Sequence, residues 1–588
     1  MANSRQKANR RRRRMAKAIL TLFILLIFCA VGAALFYIYY DKLGSTSETM
    51  SYETYFDMTT DDEAAIILDG KLLEKEDINS PYAFMSDGKL YLKLSFVKSN
   101  FDNRYYYDYT ENLLRYTTTS VINEAHLDEN GYKSGDMAVS MDYAPVKNLH
   151  GEICLESNFV TTFSPINITV FANPNRAIIY HNGFTQTNLT VKRKTVLRRF
   201  GGPKSPILAE VPKGTTVMLL EDYEDWCFVL SENGELGCIQ TKKTTPAEPS
   251  VVYATAPEMA VEHHLLNKDI SLAWHQVTNQ TANGMITDTL ATLSNVNVMC
   301  PTWYYISSAG EFIADISSAD YVNTCHSQGY QVWALFSNVE DRDADYAAAL
   351  NSTSLRTEMI NTLVPSVVAS GADGINLDFE EIPVDAGEGY IEFIRELSIE
   401  CKKAGLILSV DNYVPTDYTA FYNRAEQAKY ADYIIIMGYD EHNFGSTEAG
   451  SNASIGFVRD GVVNTLGDVP AEQVILGMPM YGRAFYMDGD SLKCIAVSMD
   501  AMEDVMNLHP DNVKWLDDLG QYYVAYEKDG TQRELWVENA DSLKLKFGVL
   551  QEFNLAGAAY WKLTLENSSV WPVVGEFLNV DALTSISE

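Results

Sequence analysis

Hydrophobic and polar positions change period along the chain, and the change divides it. Over residues 63–186 apolar residues recur at every second place in short runs such as Lys89-Leu90-Tyr91-Leu92-Lys93-Leu94, with Asp-Gly and Asn-rich turns between them, which predicts a β-rich unit. One pattern occurs twice there: Gly88-x-Leu90-x-Leu92-x-x-x-Phe96-Val97 returns as Gly151-x-Ile153-x-Leu155-x-x-x-Phe159-Val160, predicting two related units. Residues 187–243 carry five further short strands separated by glycine turns, among them Trp226-Cys227-Phe228-Val229 and Gly237-Cys238-Ile239, and predict a small barrel. Pro246, Pro249 and Pro257 mark 244–257 as a linker.

Beyond the linker, apolar strands alternate with helical stretches from 258 to 580. Eight strand candidates fall at 270–274, 296–302, 331–336, 374–380, 406–410, 433–439, 474–479 and 557–561. Eight strand–helix repeats predict an α/β fold of the (β/α)8 TIM-barrel type, in which chemistry gathers at the carboxyl ends of the strands. A doubly wound sheet would need a phosphate-binding glycine turn after an early strand, and the sequence has none.

Charge is distributed very unevenly. Arg5, Lys7, Arg10 to Arg14 and Lys17 form a basic tail over 1–17, and without them the formal charge of the chain goes from -34 to -42. So acidic a body excludes nucleic acid as a partner, and no basic patch interleaved with aromatics is present. Residues 18–40 contain no charge, a stretch long enough to span a bilayer as one transmembrane helix, and Tyr37, Tyr39 and Tyr40 stand where an interfacial belt would. Basic residues before the span and Asp41, Glu48 and Glu53 in the polar stalk of 41–62 predict a cell-membrane, single-pass protein with a cytoplasmic N-terminus and an extracellular body. The alternative is secretion after signal cleavage, for which Ala30-Val31-Gly32 and Gly32-Ala33-Ala34 supply small residues.

The eight cysteines have no metal-ligand spacing, and the nine histidines are isolated apart from His263-His264, so neither a metal nor a cofactor is expected. Cys227 and Cys238 flank an Asn233-Gly234 hairpin signal that would allow a cross-strand disulfide, but the sequence does not fix the register and leaves the pairing open.

The chemistry lies between Gly371 and Pro383, which reads Gly-Ala-Asp-Gly-Ile-Asn-Leu-Asp-Phe-Glu-Glu-Ile-Pro. Side chains alternate along a strand, so Asn376, Asp378 and Glu380 share one face while Ile375, Leu377 and Phe379 share the other. Burying such carboxyl groups without partners costs several kcal/mol each, which points to a functional strand. Two carboxyls so close on one strand do not fit the ordinary two-carboxylate glycosidases, which need about 5–5.5 Å for retention or about 6.5–9.5 Å for inversion, usually from different strands. A charged neighbour instead raises the proton affinity of Glu380, suiting it to general acid work, with the nucleophile supplied by a substrate acetamido oxygen.

Asp373-Gly-Ile-Asn376-Leu-Asp378-Phe-Glu380 resembles the Asp-x-x-Asp-x-Asp-x-Glu signature of glycoside hydrolase family 18, the chitinase-like family whose members act on N-acetylglucosamine polymers with a TIM barrel. The resemblance covers residues 268 to about 578. It implies Glu380 as acid/base, Asp378 as the carboxylate orienting the acetamido group, and Asp373 as a supporting acid. Asn376 departs from the usual aspartate, as in the branch of spore-cortex and cell-envelope glucosaminidases, and leaves the partner of Asp378 and the pH optimum open. Met437-Gly438-Tyr439-Asp440 resembles the family's Met-x-Tyr-Asp, implying Tyr439 on the acetamido group and Asp440 on a sugar hydroxyl. Gly477 to Arg483 is similar to the segment lining the family's cleft, which adds Tyr481 and Arg483 to the substrate-binding set. Trp561 matches the tryptophan beneath the reacting sugar, and 486–548 resembles the small α+β insertion of many members.

Upstream, 187–243 is similar to bacterial Src-homology-3-like domains, which implies cell-wall binding, and 63–186 is similar to the domain named for the N-terminal part of copper amine oxidases, here without copper ligands. The combined expectation is a membrane-anchored retaining β-N-acetylglucosaminidase acting on peptidoglycan or chitin without cofactor. The alternative is a non-catalytic glycan-binding protein on the same barrel.

Overall fold

Short alternating strands pair antiparallel and continuous apolar strands pair parallel, and both halves of that rule are visible here. The structure is a computed structural model that describes residues 2–75, 80–257 and 259–580. It divides into two compact units, Met1–Asn103 with Ala144–Pro257, and Arg104–Tyr143 with Glu258–Glu588.

In the first unit the chain begins as one helix, Ala2–Leu43, in which Gln6–Tyr37 is long and apolar enough to cross a membrane. Of the expected aromatic belt, the Tyr40 side chain lies outside the described residues. The repeated sequence pattern has a structural counterpart. Hairpins Ala83–Ser86/Lys89–Lys93 and Val146–Leu149/Glu152–Glu156 are each followed by a short helix, Leu94–Asn100 and Ser157–Phe163. Their inner strands pair antiparallel with Leu92 opposite Leu155, so the two copies complete one four-stranded sheet. Residues 188–246 form a seven-stranded antiparallel sheet, and its register answers the question of a Cys227–Cys238 bridge. Cys227 stands opposite Ile239 and Cys238 opposite Phe228, which sends the two thiols to opposite faces, and both cysteines are free.

The second unit is a closed barrel of eight parallel strands: β1 (Ile270–His275), β2 (Val298–Ile306), β3 (Gln331–Ser337), β4 (Gly374–Asp378), β5 (Ile407–Tyr413), β6 (Tyr433–Met437), β7 (Val474–Pro479) and β8 (Gly557–Trp561). Each strand pairs with its successor in sequence, and β8 returns to β1. All eight predicted strands are present, and the fold is the (β/α)8 barrel.

The barrel interior is filled by Leu272 and Trp274 from β1, Cys300 from β2, Trp333 and Leu335 from β3, and aliphatic or aromatic side chains from β5 to β8. β4 contributes none of these, because its inward positions are Gly374, Asn376 and Asp378. Gly374 makes room for its neighbours: a Cβ there would sit 3.1 Å from Trp333 Cδ1 and 2.8 Å from Ile407 O. The outward residues Ile375, Leu377 and Phe379 join the larger core under the helices, with Phe379 stacked on Phe393 at 5.7 Å. Each such side chain contributes about 1.5–3 kcal/mol by burial, and together they hold the polar face of β4 toward the axis.

Two additions complete this unit. Between β7 and β8 the chain forms a five-stranded antiparallel sheet with the helix Met499–Leu508. Far upstream, Arg104–Tyr143 forms five short antiparallel strands that pack on the helices Thr353–Ser370, Gly387–Ala404 and Arg424–Tyr430. Arg115 from this sheet meets Glu396 at 2.6 Å, and Glu396 also holds Arg356 at 3.1 Å, all three being buried. Tyr430 Oη donates to Thr117 O at 2.9 Å, and Asp108 Oδ2 accepts from Thr353 N at 2.7 Å at the start of its helix, where a negative charge is favoured.

Candidate active site

The carboxyl ends of the strands enclose a cavity of about 110 Å³ lined by Trp274, Asp378, Glu380, Asp411, Tyr413, Met437, Tyr439, Asp440 and Trp561. Every one of these comes from the end of a barrel strand or the residues just after it, the position at which this fold carries its chemistry. Trp561 and Trp274 meet edge to face at 5.8 Å and supply an aromatic floor.

Glu380 is held at two levels. Its backbone is clamped by one side chain, since Asn338 Oδ1 accepts from Glu380 N at 2.8 Å and Asn338 Nδ2 donates to Glu380 O at 2.7 Å. Its carboxyl accepts from Tyr413 Oη at 2.8 Å. Burial raises its pKa, the Tyr413 bond opposes that rise, and the charges of Asp440 and Glu381 reinforce it. Asp378 is also raised, well above the usual carboxyl range, first by burial and then by the charges of Glu380 and Asp411. Its Oδ1 is buried without a hydrogen-bond partner, an expensive state for a carboxylate and a tolerable one for an acid awaiting a ligand.

Asn376 does not line the cavity but lies directly beneath it, fully buried. Its Oδ1 accepts from Trp274 Nε1 at 2.9 Å and Cys300 Sγ at 3.3 Å, and its Nδ2 donates to Ser409 Oγ at 3.0 Å and Asp411 at 2.8 Å. The amide therefore bonds to other strands rather than to Asp378.

Tyr439 and Met437 line the cavity from β6 and the residues after it, and Asp440 follows in a left-handed conformation at φ 61°. Tyr481 and Arg483, on the first strand of the antiparallel insertion, sit behind Asp440. Tyr481 Oη donates to Asp440 Oδ1 at 2.6 Å, and Arg483 reaches the same oxygen through Nη2 at 2.5 Å and Nε at 3.1 Å. They fix the aspartate rather than lining the cavity. Asp373 lies at the amino end of β4, accepting from Val332 N and His326 Nε2 at 2.8 Å each, a strand length away from Asp378.

Three residues of the site were not picked out from the sequence. Asp411 and Tyr413 extend β5 past its expected end, and their signal was the alternation Ser409-x-Asp411-x-Tyr413, the same polar rhythm as on β4. Asn338 follows β3 directly and has no comparable signal. Among the described residues, no group of three or more His, Cys, Asp or Glu is arranged to hold a metal ion.

Comparison with known proteins gives matches over the barrel segment that carries this site. Residues 309–566 match the model for glycosyl hydrolases family 18, and the chain carries a domain of that family. The matched segment begins after β1 and β2, which the fold supplies. The chain is 24% identical over 267 residues to the cortical fragment-lytic enzyme of Bacillus subtilis, covering 43% of this chain and 62% of that protein. It is 25% identical over 265 residues to endochitinase 1 of Metarhizium robertsii, covering 40% of this chain and 62% of that one. It thus spans less than two thirds of the length of either relative. Among solved structures, the spore cortex-lytic enzyme SleL of Bacillus cereus has a TM-score of 0.49 at 18% identity, covering 58% of this chain and 80% of that chain.

Proposed function

We propose that this protein is a retaining glycoside hydrolase that cleaves β-1,4-linked N-acetylglucosamine glycans by substrate-assisted catalysis. The observation that carries the reading is the pair Asp378 and Glu380 lining one cavity, both with raised proton affinity, together with Trp274 and Trp561. In this mechanism Glu380 protonates the leaving oxygen. The acetamido oxygen of the sugar on the non-reducing side attacks the anomeric carbon, with Asp378 and Tyr439 holding the group as its positive charge develops. Glu380 then takes a proton from the water that opens the intermediate, so the stereochemistry is retained. Asp440, fixed by Tyr481 and Arg483, holds a sugar hydroxyl, Met437 borders the bound sugar, and no metal takes part.

Peptidoglycan is the preferred substrate in this reading, with chitin as the second. The family 18 domain and the relative named as a cortical fragment-lytic enzyme support it, as does an N-terminal helix fit to anchor the chain outside the cytoplasmic membrane. The seven-stranded sheet then serves as a wall-binding module.

The test is Glu380→Gln compared with the wild type on N-acetylglucosamine oligomers and on purified peptidoglycan, with products read by mass spectrometry. Loss of a general acid lowers turnover by about 10²–10⁴ while melting is unchanged. Wild-type turnover in the Gln variant would remove Glu380 from the role.

A further inference from the structure

The proposed mechanism uses two carboxyl groups, yet a third meets them at the floor of the same cavity. Asp411 lies on β5, where the register Asn376↔Ser409 and Leu377↔Val410 continues to set it beside Asp378, about 4.8 Å away across parallel strands. It is buried and lines the cavity.

Its orientation is fixed by chemistry. The indole N–H of Trp274 can only donate, so the Asn376 oxygen must face Trp274, at 2.9 Å, and the Asn376 amino group must face β5. There it donates to Ser409 Oγ and, at 2.8 Å, to Asp411 Oδ1. The amide thus pins one oxygen of Asp411 and carries no charge to it.

One cation acts on the cluster among the described residues: Arg342, paired with Glu381 at 2.7 Å, opposes the rise of Glu380, while Glu340 adds to the rise of Asp378. None of the nine residues lining the cavity is basic. The groups interacting electrostatically with Asp411 are Asp378 and Glu380 at the end of β4, Cys300 on β2, Tyr390 on the helix after β4, and Tyr439 after β6, while Tyr413 follows on its own strand. All are acids. Arg483 is engaged with Asp440, and Arg424 spends Nη2 on Tyr413 O at 2.9 Å and on Thr419. At the level of Asp378, Ser337 is its register neighbour on β3, and Ser337 Oγ and Asp378 Oδ1 are both buried without partners. Three carboxylates packed this way cannot all ionise near neutral pH, and their protons belong to the set rather than to single residues.

We propose that Asp411 is a positioning residue of this site: anchored by Asn376, it shares a proton with Asp378 beside Glu380, and so sets the alkaline end of the pH range in which Glu380 works as an acid. The pair holds one proton and one negative charge in the free protein. The proposal rests on the hydrolase reading of Glu380, and its test includes a readout that does not need turnover.

Asp411→Asn keeps the acceptor for Asn376 and removes the carboxyl. With one acid fewer, the last proton leaves Asp378 and Glu380 at lower pH, so the alkaline limb of kcat/KM on an N-acetylglucosamine tetramer moves down by about one pH unit. Asn376→Asp combined with Asp411→Asn carries the carboxyl back across the same hydrogen bond and restores the limb toward the wild-type position, which a folding defect would not do. In parallel, infrared titration of isotope-labelled aspartate from about pH 5 to about pH 9 follows the protonated carboxyl directly. It persists to neutral pH in the wild type and disappears at lower pH in Asp411→Asn. Superimposable infrared titrations would overturn the proposal, as would a loss of activity equal at every pH. If the wild type hydrolyses no N-acetylglucosamine oligomer, the hydrolase reading fails and the infrared titration still decides whether the shared proton exists.

Discussion

The hydroxyl of Tyr413 bridges two consecutive residues, donating to Glu380 Oε2 at 2.8 Å and accepting from Glu381 N at 3.2 Å. It ties the end of β5 to the turn that carries Glu380, and it favours the ionised form of that carboxyl against the burial that disfavours it. The free protein therefore balances Glu380 between two opposed influences.

Tyr413→Phe removes one of them. With its donor gone the carboxyl binds its proton more tightly, so the alkaline limb of kcat/KM moves to higher pH, opposite in direction to the effect of Asp411→Asn. A hydrogen bond to a charged group contributes about 1.5–3 kcal/mol, and kcat at neutral pH falls roughly tenfold as the carboxyl loses its fixed orientation. A pH–rate profile of the variant checks both statements, and a limb that moves to lower pH would contradict them.

Asn338 is expected to act through position rather than charge. Asn338→Ala deletes both bonds to the Glu380 backbone and frees the turn to shift. A displacement near 1 Å at the reacting group costs about 10²-fold, so kcat falls by one to two orders of magnitude while KM changes little. Melting drops by an amount corresponding to about 1–3 kcal/mol. Steady-state kinetics with calorimetry distinguish this from a binding defect, in which KM alone would rise.

The buried carboxyls also make stability depend on pH. Asp378, Glu380 and Asp411 have raised proton affinity in the folded state, so the folded protein binds more protons than the unfolded chain. Their contribution is fully present below the ordinary carboxyl range of about 4 and is lost as pH rises through their folded values. Glu396 and Glu426 behave in the opposite sense, since Arg356 and Arg115 beside the first and Arg395 and Lys429 beside the second overcome their burial and lower their pKa; what they contribute is present above the ordinary range and lost as pH falls. Asp378→Asn should therefore gain on the wild type in melting temperature as pH rises toward about 8, with the two curves converging near about pH 4. A constant offset across the range would refute the assignment.

Breaking the buried ion pairs under the upstream sheet gives a separate outcome. Glu396→Gln leaves Arg115 and Arg356 facing each other without their shared counter-charge, and removing one partner of a buried pair costs about 3–5 kcal/mol. Hydrogen exchange should accelerate first in Arg104–Tyr143 and in the helices beneath it. Urea unfolding with exchange mass spectrometry reads both effects, and protection unchanged in that sheet would show that other contacts hold it.

The barrel was legible because its strands are apolar on both faces and stand out as runs between turn residues. β4 was legible as chemistry because Asn376, Asp378 and Glu380 interrupt such a run at every second place. The same rhythm on β5 escaped notice because the apolar run ends at Val410, so that Asp411 and Tyr413 looked like loop residues. Tyr481 and Arg483 carry a recognisable motif, yet their contact with Asp440 depends on how the antiparallel insertion folds back, which no local pattern encodes. Asp373 likewise needs Val332 and His326 beside it to be understood. The hairpins of Arg104–Tyr143 look like the hairpins on either side of them, because alternation reports that one face is buried and not against what. Arg115 finds Glu396 at a separation of 281 residues, and periodicity has no reach over such a distance.

That separation has a consequence for synthesis. Arg115 leaves the ribosome long before Glu396 exists, and at roughly 5–20 residues per second the interval is on the order of 15–55 s. Throughout it the upstream sheet waits with the polar face that carries Asp108, Glu111 and Arg115 and no helices to cover it, while the hairpins before and after it can already join each other. The order in which the chain is made thus runs against the order in which this sheet is completed, and the nascent protein must keep one half-finished surface open until the barrel arrives to close it.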